Sequence, residues 1–118
     1  MFNFCDKIDF IFEKIGVLEE IMNNHKITIA LKDEKILKPA ILMHLMQIGE
    51  SLNSLDKKAK KIVEEYNLIQ EVKGAYNVRN FIAYDYEEVN LAIIESVLRN
   101  NLLILEEKIN RIKNEKCK

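Results

Sequence analysis

An all-α fold, an antiparallel bundle of about five helices, is what the sequence predicts, and three features predict it. Apolar residues recur at steps of three and four along most of the chain, the spacing that lays one stripe down a helix. Only three Gly and one Pro occur among 118 residues, too few to punctuate a turn-rich fold. Hydrophobic residues make up 48 % and charged residues 31 %, a globular balance that argues against disorder. The length suits one hydrophobic core, so residues 1–118 read as a single domain without linker, repeat or low-complexity tract.

In the first helix Phe4, Ile8, Ile11, Ile15, Leu18 and Met22 form the seam, and Asp6, Asp9, Glu13, Glu19 and Glu20 occupy other faces. The pattern breaks at Asn23, Asn24 and His25. Asp33 and then Pro39 mark the start of a second helix, because Pro is tolerated only in a first turn; it should run to about Leu55. Its seam is Ile41, Leu45, Ile48, Leu52 and Leu55, while Leu42, Met43 and Met46 spread the apolar surface to neighbouring faces. That breadth makes it the central helix or an interface helix, and it motivates the expectation of a homodimer. Gly49 inside it would cost about 1 kcal/mol relative to Ala in an exposed helix, which suggests that another backbone passes close by.

Residues 56–67 read as a short, lysine-rich helix with Ile62, Val63 and Tyr66 inward. From Ile69 the residues Ile69, Val72, Tyr76, Arg79, Ala83 and Tyr86 keep helical steps, with Arg79 and Tyr86 nearly on one face, two turns apart. Asn90 then caps a long last helix whose seam is Leu91, Ile94, Leu98, Leu102, Leu105, Ile109 and Ile112.

Charge and cysteine usage exclude several classes. The formal net charge is −1, so no bulk basic excess advertises nucleic-acid binding, and any RNA must be held by a local patch. Cys5 and Cys117 lie near opposite ends with no C-x-x-C spacing, and no signal-peptide layout is visible; a reducing cytoplasm suits this best. The longest apolar run, 39–46, is interrupted by His44, far short of a membrane span.

The segment that carries chemistry is Arg79-Asn80-Phe81-Ile82-Ala83-Tyr84-Asp85-Tyr86. It resembles the motif of HepT-like HEPN toxins, in which Arg-Asn is followed after three residues by His and, one residue further on, by Tyr. The Arg, the Asn, the spacer and the final Tyr match, but Tyr84 stands at the histidine position. The resemblance extends to Ile48-Gly49-Glu50 in the second helix and to Val89-Asn90 before the last one.

What the resemblance implies is a metal-independent, cofactor-free endoribonuclease acting as a homodimer, the toxin of a pair whose antitoxin is a nucleotidyltransferase of the MNT type. Its catalytic residues would be Arg79, Asn80 and, at the histidine position, Tyr84. Tyr86 would be the site of AMP attachment by the antitoxin, adding bulk and negative charge beside Arg79. Glu50 would support Arg79 or Asn80 through a charge-assisted hydrogen bond. The chemistry explains the residue types: an imidazole can take a proton from an RNA 2′-hydroxyl near neutral pH, and a guanidinium offsets charge on the phosphoryl oxygens. A phenol ordinarily keeps its proton to about pH 10, so most of the ~10²–10⁴-fold that a general base supplies should be lost with Tyr at that position.

His25 and His44 are the only histidines, on separate segments, and read as structural; His44, on the helix nearest the motif helix, is the one substitute base to consider. The cluster Lys57, Lys58, Lys60 and Lys61 reads as a solvated face rather than a phosphate contact. Three functions stay open: an RNA-cleaving HEPN toxin, an inactive HEPN protein that binds a nucleotidyltransferase or nucleotide, and a helical dimerisation module.

Overall fold

The computed structural model describes residues 2–118, and among them no strand occurs. Helix α1 spans Phe4–Asn24 and begins where the Asn3 side chain accepts the Cys5 N–H at 2.9 Å. A single short turn, α2 (Ile27–Ala30), follows. Helix α3 runs over Leu37–Lys58. Asp33 ahead of it accepts the Leu37 N–H at 3.2 Å, so its carboxylate satisfies a donor that the helix itself leaves unpaired. Helix α4 (Lys60–Glu65) is separated from α3 by a break at Ala59, and α5 covers Ile69–Tyr84. The last rod is α6 (Leu91–Ser96), a π-helical turn over Val97–Asn101, and α7 (Leu102–Lys116). Asn90 caps it as expected, accepting the Ala92 N–H at 3.0 Å.

The core is built by the expected seams. Ile8, Ile11, Ile15 and Leu18 of α1, Ile41, Leu45, Ile48, Leu52 and Leu55 of α3, and Ile94, Leu98, Leu102, Leu105, Ile109 and Ile112 of the last rod are all buried. α3 is the hub, packed against α1 on one side and α5 on the other. Of the two readings of this helix, central or interface, the packing within the chain fits the central one: Leu42 is fully buried, Met46 half-buried and Met43 exposed. Neighbouring helices use up the breadth of its apolar surface. Other large apolar side chains left exposed are Ile29 and Ile36 ahead of α3, Phe81 and Tyr84 on α5, Tyr86 just after it, and Ile93, Leu103 and Ile104 on the last rod.

In α5 the expected seam fails in part. Val72 is buried, but Ala83 and Tyr86 are exposed, and Ile82, outside that pattern, is fully buried. The helix ends at Tyr84, because Asp85 takes φ −147° and ψ 53° and a 3₁₀ turn (Tyr86–Glu88) follows. Arg79 and Tyr86 therefore do not share one helical face.

The ends of the chain meet along α1 and α7, which run antiparallel. Cys5 is joined to Cys117, and the Lys113 ammonium donates to Asp9 Oδ1 at 2.6 Å. Further along the same seam Glu19 faces Glu106. Burial first, and then the hydrogen bond and charge of Glu106, push the Glu19 carboxyl up to about 7. Unfolding returns it to near 4.5, so between these values the folded state holds a proton that the unfolded state releases. The stability supplied by that proton is complete below about 4.5 and is lost as pH rises through about 7. Glu19→Gln removes the titration: between pH 5 and pH 8 the thermal midpoint of the wild type should fall by roughly 3 °C more than that of the variant, as read by circular dichroism. Equal falls would show that the pair does not titrate in this range.

Candidate functional site

The motif residues are placed by the contact between α3 and α5. At Gly49 a Cβ would stand 2.6 Å from the Ala75 carbonyl oxygen and 2.8 Å from Arg79 Cβ, so only a residue without a side chain lets the two helices come this close. The close approach expected from that glycine is present. It brings the next residue, Glu50, alongside Arg79.

Glu50 Oε1 accepts from Arg79 Nε at 3.1 Å and from Nη2 at 3.0 Å, and Arg79 Nη1 donates to Asn80 Oδ1 at 3.0 Å. The Tyr76 ring, one turn earlier on α5, lies 5.8 Å from the guanidinium carbon. Sequence reasoning put Tyr76 in the core seam and missed this stacking; its signal was the three-residue step to Arg79. The Arg79 side chain is 28 % exposed. A guanidinium carries five N–H donors, and these bonds engage three of them, leaving one hydrogen on each terminal nitrogen. The group is thus oriented yet able to take an anion such as a phosphodiester.

Tyr84 is not brought to this group. Five residues of α-helix amount to about 140° of rotation and about 7.5 Å of rise, and Tyr84, the last residue of α5, is 86 % exposed. Tyr86 is also exposed, in the 3₁₀ turn. Asp85, Glu87 and Glu88 around it are exposed as well, so this end of α5 is acidic and aromatic.

The two histidines lie apart from Arg79. His25 ends α1 in extended backbone and is exposed. His44 Nδ1 donates to the Ala40 carbonyl at 2.7 Å, and its position is turned about 140° around α3 from Gly49, so it faces away from α5. Of the lysine cluster, Lys57 and Lys58 sit in the last turn of α3, and Lys60 pairs with Asp56 at 3.0 Å. Among the described residues no group of three or more His, Cys, Asp or Glu is placed to hold a metal ion. A groove of about 350 Å³ lies beside the site, between α5 and the last rod, with Gly74, Ala75 and Val78 on one wall and Val97, Leu102 and Leu105 on the other. The sequence reading did not foresee it.

A family model described as "Ribonuclease HepT-like" matches residues 11–112, a span that includes Gly49, Glu50 and the whole motif. No match was found among curated proteins or among solved structures.

The packing at Gly49 is open to a direct test. A Cβ there meets backbone, which cannot rotate away, so Gly49→Ala should cost about 2 kcal/mol in urea unfolding. Gly16, where a Cβ would meet nothing within 4 Å, is the control: Gly16→Ala should stabilise by up to about 1 kcal/mol. A neutral Gly49→Ala would mean that the helices are not held this close.

Proposed function

Because the chain belongs to the ribonuclease HepT-like family, we propose that it is a HEPN-type endoribonuclease scaffold whose cleavage is attenuated by Tyr84. The observation that carries this reading is the Arg79 guanidinium, fixed by Glu50 and Asn80 with two N–H groups to spare. In the reaction such a site serves, a base takes the proton of an RNA 2′-hydroxyl as that oxygen attacks the adjacent phosphorus. The bond from phosphorus to the 5′-oxygen breaks, and that oxygen takes up a proton. Arg79 would stabilise the charge on the non-bridging oxygens, with Asn80 and Glu50 orienting it. No step of this reaction calls for a metal.

The reading includes a homodimer acting in the cytoplasm. Its support is the exposed apolar set Phe81, Ile93, Leu103 and Ile104, which would pair two copies and bring both Arg79 side chains into one cleft. It also includes a nucleotidyltransferase antitoxin that transfers AMP from ATP to the Tyr86 hydroxyl, releasing pyrophosphate. No described helix is long and apolar enough to cross a membrane.

A second reading is an inactive HEPN protein that binds a nucleotidyltransferase or a nucleotide, and one observation favours its nucleotidyltransferase form. Tyr84 projects into solvent beside three carboxylates, a poor surface for a polyanion.

The deciding experiment is RNA cleavage by purified protein. Tyr84→His should raise the rate by on the order of 10²-fold or more, and Arg79→Ala in that background should abolish it. Efficient cleavage by the wild type that survives Arg79→Ala would place the activity elsewhere, and failure of both forms to cut would favour the second reading. For assembly, sedimentation at micromolar concentration should give a dimer that Ile104→Glu dissociates. A wild-type monomer would remove the composite cleft.

A further inference from the structure

The fold brings together two residues that sequence spacing kept apart. Cys5 and Cys117 are separated by 112 positions, yet their Cα atoms are 5.5 Å apart and the sulfurs are bonded. Each is held by an element that other contacts keep in place. Cys5 lies in the first turn of α1, its N–H donated to the Asn3 side chain; Cys117 closes α7, its N–H donated to the Lys113 carbonyl at 3.2 Å. The Lys113–Asp9 pair and the Lys116–Glu65 pair, at 3.2 Å, hold the same end of α7 without the sulfurs. The two thiols would thus stay facing each other when the bond is open. Both residues are only half-buried, within reach of a small disulfide.

We propose that Cys5 and Cys117 form a reversible thiol–disulfide clasp, closed by a small-molecule disulfide of the glutathione class, that changes the stability of the bundle without changing its fold. Cys5 is the attacking group. It lies in the first turn of α1 and is half-buried, so an external disulfide can reach it. The Cys5 thiolate attacks one sulfur of the external disulfide, forms a mixed disulfide and expels one thiol. The Cys117 thiolate then attacks the Cys5 sulfur and expels the second. Two protein thiols and one disulfide become one protein disulfide and two thiols; the chain is oxidised by two electrons and the external disulfide is reduced. The closed clasp restricts almost the whole unfolded chain, the condition under which a cross-link stabilises most in the chain-entropy account. In a reducing compartment the clasp is open, so a cytoplasmic location and this pair are compatible.

The test uses the full chain equilibrated with reduced or oxidised glutathione, followed by thiol alkylation, intact mass, circular dichroism and thermal unfolding. Oxidation should protect both thiols from alkylation, leave each chain two hydrogens lighter and unlinked to any other, keep the helical spectrum, and raise the thermal midpoint by at least about 8 °C. Cys5→Ser and Cys117→Ser should fold with the same spectrum and show the reduced midpoint in both buffers. The proposal is overturned if both cysteines remain alkylatable in oxidised glutathione, if oxidation joins only separate chains, or if either serine variant still gains the shift.

Discussion

The contact on which the site depends is the one between Gly49 and the backbone of α5. With the Ala75 carbonyl oxygen 2.6 Å from where a Cβ would be, α3 and α5 lie closer than any residue with a side chain would allow, and side chains beside the contact have little freedom to drift. Arg79 is one of those side chains, since its Cβ forms part of the wall that Gly49 meets. Its guanidinium then reaches Glu50, one residue on from the glycine. The missing side chain thus acts twice. It lets the helices pack, and it sets an exposed carboxylate and a partly buried guanidinium at hydrogen-bond distance.

Much of this was legible in the sequence because helical spacing is a strong signal wherever one face is dry. In α1, α3 and the last rod the apolar residues at steps of three and four mark the seams, and each position in the middle of those seams is buried. α5 is less legible for a physical reason: it meets α3 through small residues and the Arg79 stem rather than through a ridge of large apolar ones. Its inward positions are Val72 and Ile82, buried, with Ala75 and Val78 partly buried between them, and Tyr76 and Ala83 one residue further on offer a competing stripe at similar steps. The π-helical turn is invisible too. Ile94, Leu98 and Leu102 follow one another at steps of four across it and all three are buried, so a wider turn leaves no trace in the apolar pattern.

The site divides in the same way. Glu50 beside Arg79 was foreseen from the Ile-Gly-Glu step, and the geometry joins them. The shared face of Arg79 and Tyr86 was not found, because that inference assumed a helix continuing through Asp85. The cysteine pair was out of reach: two residues at opposite ends of a chain carry no spacing rule, and only the antiparallel run of α1 and α7 makes them neighbours.

These differences bear on how firmly the scaffold holds each residue of the segment from Arg79 to Tyr86. Arg79 is part of the packing between α3 and α5, engaged through its Cβ, its guanidinium and the Tyr76 ring. Replacing it disturbs the fold as well as any chemistry. Tyr84 closes α5 in solvent, 86 % exposed, and no core contact holds it. A change there costs almost nothing in stability, since exposed substitutions usually move it by less than about 0.5 kcal/mol. The segment from Arg79 to Tyr86 therefore has one end that the scaffold itself requires and another, at Tyr84, that it does not. An ordered Arg79 thus follows from the packing between α3 and α5 and is held without any contribution from the residue at position 84.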